Sequence, residues 1–291
     1  MPCNTFIYTT KQTVVSKLKT NQTTNMNQDP YPSITVATVT YNAEKTLERT
    51  LKSVATQTYP NIEHLIVDGC SKDGTMEMVH QYVEKNTAAQ IPHLIHLIKE
   101  PDKGLYDAMN KAILNAESDY ICFLNAGDKF HHPDTLKNIF ENIHWHEDKK
   151  RNPAVIYGET DLVDDLGNFI RHRRLQTPEQ LTWRSFLEGM LVCHQSFYVR
   201  TDLARQELYN LNYRFSADYD WCIRIMKHAQ TRRLELYNTH EILTDYLSEG
   251  LTTSNHKKSL LERLHIMAEH YGWFAAIRQH LWFVLRAVIK R

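Results

Sequence analysis

The sequence predicts an α/β fold with a mostly parallel central sheet flanked by helices, followed by a helical C-terminal extension. Apolar segments rich in β-branched residues alternate with amphipathic segments about every thirty residues, which is the pattern of βαβ units. A polar loop follows each predicted strand of the first half. A basic stretch with many aromatic residues ends the 291-residue chain.

Composition narrows the class of protein. The hydrophobic content of 42% supplies a core, and the formal net charge of zero gives no general attraction to nucleic acid. The five cysteines are widely spaced and form no Cys-x-x-Cys, which indicates a reducing compartment. Neither a membrane-spanning stretch nor an apolar signal segment is visible. We therefore expect a cytoplasmic protein that does not bind nucleic acid.

The predicted elements follow in chain order. Residues 1–30, rich in Thr, Asn, Gln and Lys, are expected to form a mobile extension. Strands are predicted at 34–40, 62–67, 94–98, from Tyr120, and at 155–157, with a third helix at 105–116 and a fourth that begins at Pro133. Carboxyl ends of parallel strands share one edge of a sheet, so we expect the loops at Asn42, Asp68, Asp102 and Asp128 to converge.

The stretch 120–128, Tyr-Ile-Cys-Phe-Leu-Asn-Ala-Gly-Asp, is the most informative of these. It reads as a buried strand that ends in a tight turn, where Gly127 permits backbone angles that other residues resist. Asp128 then lies at the ligand-binding edge, and Mg²⁺ typically takes one or two carboxylates together with substrate phosphates. The alternative is an ordinary turn in which Asp128 caps the next helix.

The loop after the first strand, Tyr41-Asn42-Ala43-Glu44, contains no glycine, so a dinucleotide-binding Gly-x-Gly-x-x-Gly is absent, and no P-loop motif occurs. Asp68 is placed to accept hydrogen bonds from a base or ribose, or alternatively to shape an Asp-Gly turn together with Asp73. These are the parts of a nucleotide-diphosphate site that lacks a glycine cradle.

Four motifs occur in order: Thr-Tyr-Asn at 40–42, Val-Asp-Gly-x-Ser-x-Asp-Gly-Thr at 67–75, Glu-Pro-Asp-Lys-Gly-Leu-Tyr-Asp-Ala-Met-Asn-Lys at 100–111, and Phe-Leu-Asn-Ala-Gly-Asp at 123–128. From about Ser33 to Ser254 the chain resembles family 2 glycosyltransferases of the GT-A fold, in a branch of bacterial surface-polysaccharide synthesis of the colanic acid or capsule type. The resemblance implies a catalytic domain at 31–255, with a nucleotide half at 31–130 and an acceptor half at 131–255.

The resemblance also implies an activity. It is inverting, metal-dependent transfer of a sugar from a nucleotide-diphosphate donor, with UDP favoured, to a hydroxyl of a glycan or lipid-linked acceptor. Mg²⁺ or Mn²⁺ would be held by Asp128. The implied nucleotide-sugar-binding residues are Thr40, Tyr41, Asn42, Asp68, Asp102, Lys103, Asn110, Asn125, Ala126 and Gly127.

Residues 214–224, Arg-Phe-Ser-Ala-Asp-Tyr-Asp-Trp-Cys-Ile-Arg, resemble the acidic motif that carries the family's catalytic base. Asp218 matches the base, which takes a proton from the acceptor hydroxyl. The alternative makes Asp218 an N-cap and Asp220 a first-turn acid of a helix. On the acceptor and diphosphate side, the resemblance and residue chemistry add Asp220, His194, Gln195 and Trp221. Trp183, Arg184 and Trp221 suit stacking on sugar rings or packing in the core.

The sequence departs from the family pattern at three positions, with Gly127 and Ala217 in place of acids and Met109 in place of an arginine. Two other classes therefore stay open. A nucleotidyltransferase also needs acids and a metal at such an edge. It would in addition require a basic phosphate-binding loop near the first strand, and none is visible there. A sugar-nucleotide-binding or scaffold protein without catalysis is the second, and the presence of both Asp128 and Asp218 argues against it.

The segment 256–291 is predicted to be a basic amphipathic helical tail. Basic and aromatic residues alternate along it, which is typical of a helix that lies on an anionic membrane surface at the inner membrane face. Packing against the catalytic domain or a second subunit is the alternative. The residues concerned are Lys257, Lys258, Arg263, Trp273, Phe274, Arg278, Trp282, Phe283, Arg286, Lys290 and Arg291.

Overall fold

The computed structural model describes residues 31–248 and 256–289, so the predicted mobile extension at 1–30 lies outside the described residues. The fold is a nine-stranded mixed sheet in the order β3-β2-β1-β4-β8-β6-β9-β5, with β7 paired to β6. The strands are β1 (Ile34–Thr40), β2 (Ile62–Asp68), β3 (Leu94–Lys99), β4 (Tyr120–Phe123), β5 (Lys129–Phe130), β6 (Val155–Val163), β7 (Phe169–His172), β8 (Phe197–Arg200) and β9 (Leu236–Leu247).

Helices flank this sheet and extend beyond it. They are α1 (Leu47–Ala55), α2 (Thr75–Thr87), α3 (Leu105–Asn115), α4 (Thr135–Asn142), α5 (Thr201–Ala204), α6 (Ala217–Thr231), α7 (His256–Tyr271) and α8 (Trp273–Ile289). Short 3₁₀ turns lie at Lys149–Arg151, Trp183–Glu188 and His194–Ser196.

The first half of the sheet is parallel, as the sequence predicts. Strands β3, β2, β1 and β4 lie side by side in one direction, and every residue of β1 and β2 is buried. Helices cover both faces of such a sheet, which is why its strands read as continuous apolar runs. Helix α1 buries Leu47, Leu51 and Val54, the stripe that the helical period predicts. The predicted α/β class is therefore confirmed.

The second half of the sheet is mixed. Strand β8 runs antiparallel to both β4 and β6, whereas β9 runs parallel to β6 and antiparallel to the short β5. The turn 125–128 joins β4 in the parallel half to β5 at the far edge. Asp128 therefore lies where the chain passes from the parallel half of the sheet to the mixed half.

The C-terminal extension is two helices rather than one. Helix α7 ends at Tyr271, and α8 begins at Trp273 after Gly272, whose φ of +84° is a left-handed angle that glycine adopts at low cost. Ile266 and Met267 of α7 are buried in the main core, whereas Trp273 and Phe274 at the start of α8 are exposed.

Within residues 31–248 and 256–289, we find no helix with both the length and the hydropathy that crossing a membrane requires.

Candidate active site

The loops after the first three strands meet at one edge of the sheet, as predicted. A Cβ atom added at Gly69 would overlap the Asp102 carboxylate and come within 3.3 Å of Tyr41 Cδ2. The three loops therefore approach closely at Gly69, where an added side chain would require the Asp102 carboxylate to move. The Tyr41 ring is 61% exposed beside them, which leaves an aromatic face open for stacking on a base.

Asp68 is fully buried and organises its own loop. Its carboxylate accepts hydrogen bonds from the backbone N–H of Ser71 at 2.9 Å, the Ser71 hydroxyl at 2.5 Å and Thr40 Oγ1 at 3.0 Å. The turn-shaping role is therefore confirmed, and a contact to ribose stays a prediction. Asn42, with φ of +49°, bridges to the same loop by accepting from the Lys72 N–H at 2.9 Å.

The third loop presents Asp102 and Lys103. Asp102 Oδ1 accepts from the Gly104 N–H at 2.8 Å, and the Lys103 N–H donates to Asp107 Oδ2 at 2.9 Å. Lys103 is exposed. Both predicted residues thus lie on the loop that meets Tyr41 and Gly69.

The Asn-Ala-Gly-Asp turn closes through a hydrogen bond from the Asp128 N–H to the Asn125 carbonyl at 2.9 Å. Gly127 has φ of +104°, and an added Cβ would lie 2.7 Å from Leu247 Cδ2. The backbone angle favours glycine, and an acidic side chain at this position would be strained and would have to displace Leu247 Cδ2. Ala126 is half-buried against the cluster that α1 and β2 build.

Asp128 has a buried carboxylate whose two oxygens both accept hydrogen bonds. Gln195 Nε2 donates to Oδ2 at 2.9 Å, and the Leu247 N–H donates to Oδ1 at 3.0 Å. Burial raises the pKa of Asp128 to about 6, although both hydrogen bonds oppose that rise. The interpretation of Asp128 as a helix cap is wrong, because Asp134 precedes the first residue of α4.

The turn offers oxygen atoms that fit a divalent cation. Asn125 Oδ1 is buried and has no hydrogen-bond partner among the described residues, and each Asp128 oxygen keeps a second lone pair. Hard cations take oxygen ligands, and Mg²⁺ is typically completed by water and substrate phosphates. Asn125 and Asp128 would hold such an ion.

His194 connects this turn to Asp218. Its Nε2 lies 3.3 Å from Asn125 Nδ2, and its Nδ1 lies 3.3 Å from Asp218 Oδ2. Because an amide nitrogen only donates, Nε2 accepts and the imidazole proton is carried by Nδ1, which points to the carboxylate. Tyr106 donates its hydroxyl to Asp218 Oδ1 at 3.0 Å. The side chain of Asp218 is thus held from both sides.

Asp218 lies in the first turn of α6, where Ser216 precedes the helix and the helix dipole favours an anion. Burial raises its pKa, but the hydrogen bond from His194, the charge of Arg263 and the Tyr106 hydrogen bond together hold the pKa below its usual range. Its side chain is 18% exposed. Asp218 is therefore an ionised carboxylate that is partly open to a substrate.

Asp220 has a structural role that the sequence does not reveal. Its Oδ2 accepts from Arg224 Nε at 2.8 Å, and its Oδ1 lies 2.7 Å from His270 Nε2. Only 2% of Asp220 is exposed. Its carboxylate joins α6 to α7, with both oxygens occupied by these two partners.

Two more predicted residues are occupied by the core. Asn110 exchanges two hydrogen bonds with the Tyr209 backbone, at 3.0 and 2.7 Å, so its amide holds α3 in place. Trp221 is fully buried, stacks on Tyr209 with ring centroids 4.7 Å apart and donates to the Glu207 carbonyl at 2.5 Å. It has no face open to a sugar ring, and its stacking role is corrected to core packing.

Trp183 is half-buried and packs against the core. Its ring stacks on Tyr271 of α7 at 5.3 Å, and Arg184 and Lys227 each lie 4.6 Å from it. Gln195 is buried and supports Asp128 from behind.

Sequence reasoning missed Tyr106 and Arg263. Tyr106 belongs to the 100–111 motif, so a signal for it was present. Arg263 stands in the tail, where its charge resembled that of a solvated basic face.

A second group of ligand atoms lies at the β5–β9 edge. Those of His131, Asp161 and Asp245 are within 4.8 Å of one another. Asp245 is already paired with Lys129 at 2.9 Å and lies 2.7 Å from His131 Nδ1, so the charge of Lys129 offsets that of this carboxylate.

Comparison with known proteins gives the family. The sequence profile described as "Glycosyl transferase family 2" matches residues 35–206. An uncharacterised glycosyltransferase of Mycobacterium tuberculosis is 30% identical over 201 residues, covering 66% of this chain and 68% of the relative. A Bacillus subtilis protein named as a teichuronic acid biosynthesis glycosyltransferase is 28% identical over 248 residues, covering 81% and 91%.

Solved structures show the same fold. S. aureus TarS 1-349 in complex with UDP aligns with a TM-score of 0.58 at 17% identity, over 85% of this chain and 69% of that one. The mannosyltransferase PcManGT from Pyrobaculum calidifontis, in complex with GDP-Man and Mn²⁺, aligns with a TM-score of 0.56 at 16% identity, over 92% and 80%. The chain belongs to glycosyltransferase family 2 and has its GT-A fold.

Proposed function

We propose that this glycosyltransferase inverts the anomeric centre of a nucleotide-diphosphate sugar, with Asp218 as the general base. The observation that supports the proposal is the His194–Asp218 contact of 3.3 Å, because His194 joins this ionised, partly open carboxylate to the turn that carries Asn125 and Asp128. A carboxylate in that position suits removal of a proton from an acceptor hydroxyl.

The reaction is a single displacement. The acceptor oxygen forms a bond to the anomeric carbon while its proton passes to Asp218, and the bond from that carbon to the phosphate oxygen breaks. The electron pair leaves with the nucleoside diphosphate. Tyr106 and the Nδ1–H of His194 hold the carboxylate in one orientation, so that little reorganisation is needed during transfer.

Asn125 and Asp128 are proposed to hold Mg²⁺ or Mn²⁺. A cation at this turn supplies positive charge to the departing diphosphate. The complex of PcManGT with GDP-Man and Mn²⁺ supports a metal at such a site, and that of TarS with UDP supports a UDP-sugar donor. Tyr41 and Asp68 are proposed to contact base and ribose.

The acceptor is proposed to be a hydroxyl of a glycan or of a lipid-linked sugar in the synthesis of a surface polysaccharide. The name of the Bacillus subtilis relative supports a surface polymer. Helix α8 supports a lipid-linked acceptor, since Phe274 is 83% exposed and Trp282 is 51% exposed beside the exposed Arg278. We propose that this helix rests on the inner membrane face.

A screen of nucleotide sugars tests the donor. Thermal shift should rise with the native donor in the presence of Mn²⁺, because a ligand that binds only the folded state stabilises it. Release of nucleoside diphosphate is then measured with and without Asp218→Asn. Binding without release, in the parent protein supplied with a range of glycan acceptors, would favour the inactive binding protein instead.

A further inference from the structure

Helix α7 is fastened directly to the segment that carries Asp218. The hydroxyls of Ser216 and Ser259 lie 2.9 Å apart. The Glu262 carboxylate accepts from the backbone N–H groups of Arg214 at 2.9 Å and Phe215 at 2.7 Å. These bonds fix the turn of α7 that contains residues 259–263, so the neighbouring side chain at 263 has a defined place.

Arg263 belongs to this turn and lies close to the segment that carries the proposed base. Its guanidinium carbon lies 5.9 Å from the centroid of the Tyr219 ring. Tyr219 follows Asp218 directly in the chain. The Nε of Arg263 is buried without a hydrogen-bond partner, and no carboxylate lies within ion-pair distance of it among residues 31–248 and 256–289. A buried donor left unpaired costs free energy, so a group that binds here is favoured.

The positive charge of Arg263 acts on Asp218. After His194, it is a further cause that holds the pKa of Asp218 below the usual range. A cation beside a general base weakens that base, so the base gains nothing from Arg263 except ionisation. The positive charge of Arg263 would contribute to the reaction if an anion binds beside Asp218.

We propose that Arg263 binds a phosphate group of a substrate beside Asp218. The proposal rests on the proposed function, which brings phosphate-bearing molecules to this position. A guanidinium presents its donors in a fork that matches phosphate oxygens. Two sources share this chemistry, namely the departing nucleoside diphosphate and a phosphate of a lipid-linked acceptor. In the first case, the positive charge of the Arg263 guanidinium would stabilise the departing diphosphate.

Calorimetry on Arg263→Gln, Arg263→Lys and the parent protein tests the assignment. The probes are UDP, UMP and farnesyl phosphate, each with and without Mn²⁺. If the source is the diphosphate, Arg263→Gln should weaken UDP binding by about 10- to 100-fold and UMP binding less. If it is the acceptor phosphate, UDP binding is unchanged and farnesyl phosphate binding falls. Arg263→Lys keeps the positive charge without the forked donors, so its affinity for the affected probe should lie between those of the parent and Arg263→Gln.

The exposed Arg232, at the far end of α6, provides the matched control. Arg232→Gln removes one positive charge and should bind all three probes as the parent does. Unchanged binding of UDP and farnesyl phosphate by folded Arg263→Gln or Arg263→Lys would overturn the proposal. The failure of the general-base assignment is separate, because it would be seen as normal turnover in Asp218→Asn, and the binding measurements need no turnover.

Discussion

His194 Nδ1 lies 3.3 Å from Asp218 Oδ2, while His194 Nε2 lies 3.3 Å from Asn125 Nδ2. One imidazole thus links the turn after β4 to the first turn of α6. Any ligand that moves Asn125 is therefore coupled to the orientation of Asp218. His194 therefore connects the turn that carries the proposed metal ligands directly to the proposed base.

Asp218→Asn should lower turnover by about 10²–10⁴-fold, because a positioned base contributes about that much. Donor affinity should be kept, since the base acts mainly in the transition state. Steady-state kinetics and UDP calorimetry on the same variant separate the two effects. Asp202→Asn, which changes an exposed acid on α5, is the control. Normal turnover in Asp218→Asn would exclude this residue as the base.

His194→Gln should shift the pH profile of kcat/KM. His194 helps to hold the pKa of Asp218 low, so its removal raises that pKa. The base is then protonated at a higher pH, and the acid limb of the profile moves to higher pH. The exposed His172 provides His172→Gln as the control. An acid limb in the same place as in the parent would show that His194 does not act on the base.

Asp128→Ala should abolish the Mn²⁺-dependent part of UDP affinity. In the parent, that part should fall as the pH falls through about 6, because a proton then competes with the metal for the carboxylate. The variant should also lose about 1–3 kcal/mol of unfolding free energy, since Gln195 and the Leu247 N–H each lose an acceptor.

Calorimetry with UDP across pH, with Mn²⁺ or EDTA, checks the metal-dependent binding. Asp165→Ala, at an exposed loop position, is the control. Equal Mn²⁺-dependent affinity in parent and Asp128→Ala would rule out metal binding by this residue.

Gly127→Ala should lower the melting temperature more than Gly104→Ala. Both glycines have left-handed φ angles, +104° and +120°, so both substitutions introduce backbone strain. Only at Gly127 does the new Cβ meet a neighbour, Leu247 Cδ2 at 2.7 Å, because nothing lies within 4 Å at Gly104. Thermal unfolding of the two variants measures the difference. Equal losses would mean that Leu247 yields and that the glycine is kept for its φ alone.

Removal of α8 after Gly272 should abolish binding to anionic liposomes and leave UDP affinity unchanged. Apolar burial by Phe274 and Trp282 acts together with attraction of basic residues to anionic headgroups. Salt screens only the second, so binding of the parent should weaken without vanishing as salt rises. Liposome flotation over a salt series measures this. A parent protein that ignores anionic liposomes at low salt would leave α8 as a contact to another protein surface.

Deletion of both α7 and α8, from Lys257 onward, would not test membrane binding alone. Ser259, Glu262 and His270 of α7 hold the segment of Asp218 and Asp220, so their loss would disturb the active site itself.

The sequence by itself determined the parallel strands, the convergence of the loops after the first three strands and the position of Asp218 at a helix start. These follow from local patterns, because strand and helix periods and turn residues act over a few neighbours. It did not show that Asp220, Asn110 and Trp221 turn into the core, since a helical motif does not say which neighbour faces each side chain. Only the tertiary structure decided that, through contacts to Arg224, His270 and Tyr209.

The same physical reason explains Tyr106 and Arg263. Their places beside Asp218 depend on how α3 and α7 pack against α6, and such packing joins residues far apart in the chain. Local pattern determines where an acid stands on its helix. Long-range packing determines which hydroxyl, imidazole and guanidinium surround it, and with them its pKa.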